Sequence, residues 1–557
     1  MQNNVAFALF YAGEFSEALK NAETLNPQPT SVIVACLAAL NGSQAAFAEA
    51  RRRTSGEEQF QKVAEVAGLM LANLRKYPLA ADLEEAGASG ENASATAAIA
   101  AEYRKTVPHE QIAFADDPAG VAMRFNLLES DPDITIDQLR AIVSRNGKTA
   151  LAVPDVLNEL VKQENRLLSR KARTGEFADV GLDLSLTRAQ PRVQGSDSTG
   201  YKVTLWPSAG YKTSIYVVKD DGRYKVLATS SYPAGIGLEV LDRVAANDLA
   251  AARILLDWLR EDYHLGGGDD PLSGEIFPRF WTKGADADAA SVRLAAASIL
   301  VDYEQTAAQG VAILEAGGAA AASDSEKTNI LRGLLAGYAD TYQYEKALTT
   351  CESLARLHPE SKSVFRWQSY QLRALGRFQD ADRLAEERLK GIPGDLDAMR
   401  AHVESATTSG NYAKAHALDR RIVDEGVVEA MDLNRLAWHS LFTGKVDASD
   451  IDAALKATQL SNNNPGILHT LGCVYAEVGK TREAREVLVQ AMDSLSLDEP
   501  DGNYWYAFGR IAEQYGERTT ALAYYARLTK PKHAIEIPES SYRLAQMRLQ
   551  ALQAEKR

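Results

Sequence analysis

Apolar residues in the C-terminal half recur three and four positions apart, the spacing that places them on one face of an α-helix. Two of these amphipathic stretches are followed by a turn glycine, an aromatic residue two positions later and an alanine three positions after that. This trio appears as Gly376-Arg-Phe378-Gln-Asp-Ala381 and again as Gly410-Asn-Tyr412-Ala-Lys-Ala415. The interval of about 34 residues accommodates two short helices and a turn, so the pattern predicts a stack of helical hairpins.

The repeat resembles the tetratricopeptide repeat (TPR) family, whose unit of about 34 residues is a helix–turn–helix. About six units span Ser325–Lys532, and an amphipathic helix at about Glu539–Glu555 is expected to cap them. We name the first helix of each unit A and the second helix B. Small residues are expected where helices A and B approach most closely: Gly472, Gly509, Ala381, Ala415, Ala484 and Ala521.

The N-terminal region, residues 1–107, is predicted to be TPR-like and helical but less regular. Asn4–Asn26 has the pattern of one helical pair with a turn at Gly13, and Glu57–Lys76 and Asn92–Thr106 are further helical segments. No cation precedes the apolar stretch Val5–Ala12, which is therefore interpreted as a structural helix and not as a secretory signal. Two interpretations of the start stay open: a chain that opens abruptly, or a piece of a longer polypeptide.

The middle region, residues 108–235, is predicted to be a small α+β domain. Helices are expected at Pro118–Ser130, Thr135–Arg145 and Pro154–Arg173, and strands at Val180–Thr187, Tyr201–Trp206, Thr213–Lys219 and Arg223–Ser230. Asp221-Gly222 between two apolar runs is a strong hairpin signal. Three helices followed by such a sheet resemble an NTF2-like cone. With a helical connecting region at 236–324 and the solenoid at 325–557, the predicted fold class is mainly α: a TPR-type α-solenoid interrupted by a small α+β domain.

A second resemblance covers much of Asp179–Val301. The succession Gly237-Leu-Glu-Val-Leu241, Leu256-Asp-Trp258 and Phe277-Pro-Arg-Phe-Trp-Thr282 is similar to bacterial, often acidobacterial, TPR proteins. The resemblance implies a bacterial envelope or secretory setting, and some members carry a transglutaminase-like domain upstream. Such a domain needs a Cys–His–Asp nucleophilic set. The three cysteines, Cys36, Cys351 and Cys473, all fall in predicted helical repeats, so the resemblance implies architecture and no active site.

The composition narrows the functional classes. The 557 residues carry 61 Lys+Arg against 75 Asp+Glu, a formal net charge of −14, which argues against general affinity for nucleic acid. No apolar run reaches membrane-spanning length, so direct membrane insertion is not expected. The loop Gly266–Pro271 lacks the lysine of a phosphate-binding loop and is predicted to be a turn, with calcium binding through Asp269 and Asp270 as an open alternative. We therefore predict no enzyme activity, no cofactor and no metal site; the compartment stays open.

The candidate site is the concave groove that A helices line in a TPR solenoid. Counting back from the turn glycines places arginines, asparagines and aromatic residues on this surface: Asn329, Arg332, Arg366, Trp367, Tyr370, Arg373, Arg400, Asn434, Arg435, Trp438, Tyr506 and Arg510. Arginine binds carboxylates with a fork of N–H donors, and aromatic residues provide rigid anchors. The hypothesis is a scaffold that holds an acidic or C-terminal segment of a protein partner. Two alternatives stay open: pairing of these arginines with carboxylates on adjacent helices, and a regulatory or substrate-positioning part of a larger transglutaminase- or protease-like enzyme.

Overall fold

The computed structural model describes residues 2–88, 93–130, 136–150, 178–208, 211–263, 270, 272–318, 321, 323–426, 429–495, 497 and 499–554. The chain divides into two compact units, Met1–Gly235 and Ile236–Arg557. The finer division into four regions stays a prediction. Among the described residues, no helix combines the length and the apolar character needed to cross a bilayer.

The first unit begins with a series of packed helices: α1 Gln2–Tyr11, α2 Phe15–Thr24, α3 Thr30–Asn41, α4 Ser43–Arg53, α5 Glu57–Asn73, α6 Tyr77–Gly87 and α7 Ala93–Lys105. The N-terminal pair predicted from sequence is present as α1 and α2, and Gly13 between them has a φ of +82°. Phe10, Ile33 and Leu71 are fully buried in one core that these helices share. Three further helices follow: α8 Pro118–Ser130, α9 Ile136–Ala141 and α10 Arg145–Ala150. The predicted helix Pro154–Arg173 lies outside the described residues.

The segment Val180–Thr187, predicted as a strand, is helical: it forms α11, Ala178–Arg188. The strand prediction was wrong because the spacing of the leucines fits both the two-residue period of a strand and the period of about 3.6 residues of a helix. Leu182 and Leu186 are buried and lie four positions apart, as on one face of a helix. Asp183 is also fully buried, which a strand would place on the face opposite the leucines.

The burial of Asp183 follows from its partners. Its carboxylate accepts hydrogen bonds from Arg75 Nε at 2.7 Å and from the hydroxyl of Tyr77 at 2.5 Å. The backbone N–H of His109 donates to the same carboxylate at 2.7 Å. Because a buried carboxylate is tolerated only when it is paired, these contacts fix α11 against the N-terminal helices.

The first unit ends in an antiparallel sheet of order β1-β2-β3-β4: β1 Arg192–Ser196, β2 Gly200–Ser208, β3 Tyr211–Asp220 and β4 Arg223–Thr229. The predicted hairpin is confirmed, since Asp220 pairs with Arg223 around a turn in which Asp221 and Gly222 have φ values of 52° and 76°. Two positive φ values match the right-handed twist of the strands. Strand β1 was not predicted.

The second unit is a succession of helical hairpins: α12 Ala234–Ala245, α13 Leu249–Asp262, α14 Ala289–Leu300, α15 Ala307–Gly318, α16 Asp324–Asp340, α17 Tyr344–Leu357, α18 Lys362–Ala374, α19 Phe378–Gly391, α20 Leu396–Thr408, α21 Tyr412–Asp424, α22 Ala430–Thr443, α23 Ala448–Leu460, α24 Pro465–Glu477, α25 Thr481–Ser494, α26 Tyr504–Gln514, α27 Arg518–Tyr525 and α28 Ser541–Ala554. We number the hairpins from α16/α17 to α26/α27 as repeats 1 to 6, and α28 follows them. The chain is thus a mainly α protein with a TPR-like α-solenoid and a small sheet.

The small residues lie where the repeat pattern placed them. Ala381, Ala415, Ala484 and Ala521 are all fully buried between helices. A Cβ atom at Gly472 would lie 2.6 Å from Leu488, and one at Gly509 would lie 2.4 Å from the ring of Tyr525. Helix B therefore approaches helix A to a distance that only glycine permits at these two positions.

Candidate protein-binding groove

The A helices of the repeats lie side by side. Helix α18 packs against α20, α22 against α24, and α24 against α26. We call the surface that these helices share the A-helix face. The residues that the sequence pattern selected lie on the A helices α16, α18, α20, α22 and α26; that they form one binding surface stays a prediction.

A segment of the chain itself lies on this face. After α27 the chain does not proceed directly to α28; instead residues Lys532–Ser540, which we call the crossing segment, pass over α18 and α20 as a run of 3₁₀ turns. At its start, Lys532 Nζ donates to Glu304 Oε2 at 3.2 Å. The ring of His533 lies 5.3 Å from that of Tyr342. This end thus contacts the turn before α15 and the turn of repeat 1.

The other end of the crossing segment is held by its backbone carbonyls. The hydroxyl of Tyr412 donates to the carbonyl of Pro538 at 2.7 Å, and the indole Nε1 of Trp438 donates to the carbonyl of Glu539 at 2.9 Å. Ring stacking on Phe442 at 4.7 Å orients Tyr412. The segment therefore bridges repeat 1 to repeats 3 and 4 across the A-helix face.

The side chains of the crossing segment differ in accessibility. Ile535 and Pro538 are half-buried, as are Ile537 and Ser540, whereas Glu536 and Glu539 are more exposed. Although more than a third of Glu539 is accessible, the neighbouring helices enclose its carboxyl, and this enclosure raises its pKa. The positive charges of Arg373 and Arg435 oppose that rise, as does His439, whereas Glu404 adds to it.

Tyr342 occupies the position of a turn glycine. It precedes Gly376 by the same interval that separates Gly376 from Gly410, and its φ is 59°, against 73° for Gly376. A bulky residue is uncommon in this left-handed region and costs free energy there. In return, its ring contacts His533 and its hydroxyl donates to Glu304 at 3.2 Å. Tyr342, which replaces the turn glycine in repeat 1, thus forms part of the surface that the crossing segment contacts.

A cavity of about 430 Å³ remains beside the crossing segment. It is bounded by α16 and α18 on one side and by His533 and Glu536 on the other. Arg332 stacks over the ring of Trp367 at 4.2 Å in its wall and donates to the carbonyl of Leu272. Burial lowers the pKa of Arg332. The space is large enough for one or two side chains of a bound segment.

Several predicted groove arginines hold carboxylates of the chain itself. Arg373 Nη2 donates to Glu404 at 2.7 Å, and Arg400 binds Asp432 with two bonds of 2.9 and 2.7 Å. In the same way, Arg435 Nε donates to Asp419 at 2.7 Å and Arg510 Nε to Glu477 at 2.7 Å. For these four residues the structure shows the alternative that the sequence left open, pairing with acidic residues in the same part of the fold. Their use by a partner stays a proposal.

The other predicted positions differ in accessibility. Arg366 and Tyr370 are exposed, Trp367, Asn434 and Trp438 are half-buried, and Tyr506 is buried. Asn329 lies away from the crossing segment, where its amide donates to the carbonyl of Arg279 at 3.2 Å.

The crossing segment and its contacts at Glu304, Tyr342 and Tyr412 were not predicted from the sequence. One signal was available: residues 526–540 separate two packed helices, and such connections are usually about 2–8 residues long. A longer one without regular structure often has a function. The run Ile535-Glu-Ile-Pro538 within it is too apolar for an ordinary solvent-exposed loop.

The described residues can be compared with the requirements of a metal site and of a reactive thiol. Within them, no group of three or more His, Cys, Asp or Glu is arranged to hold a metal ion. Burial raises the pKa of the Cys36 and Cys351 thiols to about 12 and raises that of Cys473 as well. Asp270 serves a structural role: it accepts from the backbone N–H of Ser363 at 2.8 Å at the start of α18. Asp269 lies outside the described residues.

Comparison with known proteins gives structural neighbours only. No protein-family model and no curated protein matches the chain. A tetratricopeptide repeat protein from Parabacteroides merdae is similar over 52% of this chain and 97% of its own, with 14% identity and a TM-score of 0.32. Yeast Tom70 is similar over 93% of this chain and 96% of its own, with 11% identity and a TM-score of 0.35. The APC/C hetero-tetramer Cut9–Hcn1 is similar over 97% of this chain and 90% of its own, with 12% identity and a TM-score of 0.32. At these TM-scores the repeat architecture rests on the helices described above.

Proposed function

We propose that this chain is a protein-interaction scaffold without catalytic activity of its own, and that its A-helix face binds a segment of a partner protein. The observation that supports this is the crossing segment: a stretch of polypeptide already lies on that face, with two backbone carbonyls bound by Tyr412 and Trp438. Bonds to a backbone do not depend on the bound sequence, so the same donors suit a foreign chain. The carboxyl of Glu539 lies in the field of Arg373 and Arg435, so the partner segment that we propose carries a carboxylate at the same point.

Panning phage-displayed random dodecapeptides against the full chain tests this proposal. We expect enriched peptides whose affinity falls at least about tenfold with the double variant Arg366→Glu/Tyr370→Ser, because both side chains are exposed on the A-helix face. Arg383→Glu on helix B of repeat 2 is the matched control, since it is exposed and pairs only locally with Asp380. Peptides that bind both variants as well as the wild type, or no enrichment at all, would refute a binding role for this face.

The charge reversal is placed at Arg366 because it leaves the repeat intact. Arg400, another predicted groove arginine, holds the buried Asp432, which also accepts from the backbone N–H of Glu429 at the start of α22. Reversal there would weaken the helix start together with any binding.

The alternative from the bacterial resemblance, a substrate-positioning part of a larger transglutaminase-like enzyme, would use the same face. Such a part would select peptides from one enzyme substrate, whereas a scaffold would bind its partner without turnover. Incubation of a purified binding protein with the natural full-length polypeptide separates the two: modification of the bound protein supports the enzyme, and unchanged mass supports the scaffold.

A further inference from the structure

The crossing segment leaves part of the A-helix face unsatisfied. Gln371 and Arg373 on α18 and Asn434 on α22 each carry a buried polar atom (Oε1, Nε and Oδ1) that has no hydrogen-bond partner within the described part of the chain. Buried polar atoms are partnered in the great majority of cases. The cavity of about 430 Å³ adjoins Gln371. The chain's own segment therefore fills this face incompletely.

The contacts that hold the segment can be exchanged for those of another chain. Tyr412 and Trp438 bind carbonyls, which every polypeptide offers. Ile535 and Ile537 are only half-buried. The carboxyl of Glu539 lies in the field of Arg373 and Arg435, although Arg435 is also neutralised by Asp419. None of these contacts ties the segment irreversibly to the face.

We infer that the crossing segment is a built-in competitor, which a partner segment of the same chemistry displaces: two aliphatic residues two positions apart, then a proline and a carboxylate. This inference rests on the proposed function and adds to it the class of partner and the step that precedes binding. In addition to this shared pattern, the partner carries polar groups that pair with Gln371, Arg373 and Asn434, whose buried polar atoms have no hydrogen-bond partner within the described residues.

The crossing segment is tethered beside its site, and this tethering determines how strongly it weakens the binding of a free peptide. A segment held on a short connection acts at an effective concentration of about 1 mM. If the free segment binds its site with a Kd of about 100 μM, the intact chain binds any competing peptide about tenfold more weakly than a chain with an empty face. The competition is therefore measurable with the segment's own sequence as the probe.

The experiment uses a fluorescein-labelled peptide with the sequence of residues 531–541 and two full-length proteins. One is the wild type; in the other, residues 532–539 are replaced by an alternating Gly-Ser sequence of the same length. We expect the peptide to bind the replaced chain at least about tenfold more tightly than the wild type. A peptide of the same composition in scrambled order is the control. Adding Tyr412→Phe and Trp438→Phe to the replaced chain should weaken binding about five- to tenfold, because each change removes one donor and keeps an aromatic ring.

Hydrogen exchange on the wild type is a second test, which remains valid if the chain with the Gly-Ser replacement fails to fold. Saturating peptide should speed exchange of the crossing segment's own amides about tenfold and leave those of α11 unchanged. Equal peptide affinity for the two proteins, or unchanged exchange under saturation, overturns the inference. If dodecapeptides of unrelated chemistry bind the A-helix face while this peptide does not, the inference fails and the proposed function stands.

Discussion

At the scale of single residues, the close packing of helices in the solenoid depends on residues with a small side chain or none. Ala484 is fully buried at the contact between α24 and α25, and Gly472 faces Leu488 with no room for a Cβ. Side chains this small let the two helices pack closely, and the larger Leu488 fills the remaining space. Packing in a solenoid is local, because each repeat contacts only its neighbours.

Ala484→Leu should therefore overpack repeat 5 and lower the free energy of unfolding by roughly 1–3 kcal/mol. Urea denaturation followed by circular dichroism measures the loss. Gln490→Leu adds a leucine to the same helix on its exposed side and should change stability by less than about 0.5 kcal/mol. Equal stability of the two variants would show that the repeat register is wrong.

Asp419 is a second residue on which the repeats depend. It is buried on α21 and accepts hydrogen bonds from Arg435 at 2.7 Å and from His439 Nδ1 at 2.5 Å, both on the next A helix. Asp419→Ala should cost roughly 3 kcal/mol, because it leaves the buried His439 without this acceptor and removes one of the two carboxylates that pair with the half-buried Arg435. Asp424→Ala, exposed at the end of the same helix, serves as the control in a urea titration. A loss below about 1 kcal/mol for Asp419→Ala would mean that solvent reaches this network.

At the scale of elements, one side chain ties a loop to the start of a helix. Asp270 accepts from Ser361 Oγ at 2.9 Å and from the backbone N–H groups of Leu272 and Ser363 at 2.9 and 2.8 Å. Burial by itself would raise the pKa of Asp270, but these hydrogen bonds outweigh it and lower the pKa from 3.8 to about 2. The segment between α13 and α14 is thereby anchored to the start of α18 in repeat 2.

The lowered pKa of Asp270 makes this anchor dependent on pH. The folded state favours the carboxylate, so its contribution is complete above about pH 4 and is lost as the pH falls towards 2. The shift corresponds to roughly 2 kcal/mol, reduced to about 1 kcal/mol by solvent at this partly exposed site. Asp270→Asn should be destabilised by that amount at pH 6 and match the wild type near pH 2, whereas exposed Glu486→Gln should match it throughout. A gap between Asp270→Asn and wild type that persists unchanged to pH 2 would contradict this assignment.

The sequence predicts elements well where one period dominates, and less well where tertiary contacts decide. The alanines and glycines of the repeats are recognisable because close helix packing admits few alternatives at those positions. The leucines of α11 fit two periods, and the choice depends on Asp183 and partners that are distant in sequence. In the predicted groove, counting positions selects the arginines but does not reveal the carboxylates that pair with Arg400 and Arg510, because this pairing is set by the stacking of repeats. The crossing segment has no period at all.

At the scale of the second unit, the solenoid curls back on itself. Leu528 belongs to the core of the last repeats, and four residues later Lys532 contacts Glu304, which precedes repeat 1. Four residues span at most about 14 Å. The end of repeat 6 and the start of the repeat array are therefore close, and the crossing segment adds long-range contacts to an architecture built on nearest-neighbour contacts.

Such long-range contacts should make unfolding of the second unit more cooperative, and the cysteines report on it. Cys351 lies in repeat 1 and Cys473 in repeat 5, and both thiols are buried. In urea, pulsed thiol labelling should modify them with one midpoint in the wild type and with two midpoints when residues 532–539 are replaced by Gly-Ser. Cys36 in the first unit is an internal reference. Separate midpoints for Cys351 and Cys473 already in the wild type would show that the crossing segment does not couple the repeats.

The bond between Trp438 and the carbonyl of Glu539 gives the protein an optical signal of its own. The indole N–H now points at a peptide carbonyl and would face water or a different acceptor once the crossing segment leaves. Indole emission responds to the polarity around its N–H. The ultraviolet fluorescence of the unlabelled chain should therefore change when the crossing segment leaves the A-helix face. Replacing the other five tryptophans by phenylalanine would isolate that emission. Partners could then be screened in solution by the shift in emission wavelength, with no dye attached to either molecule.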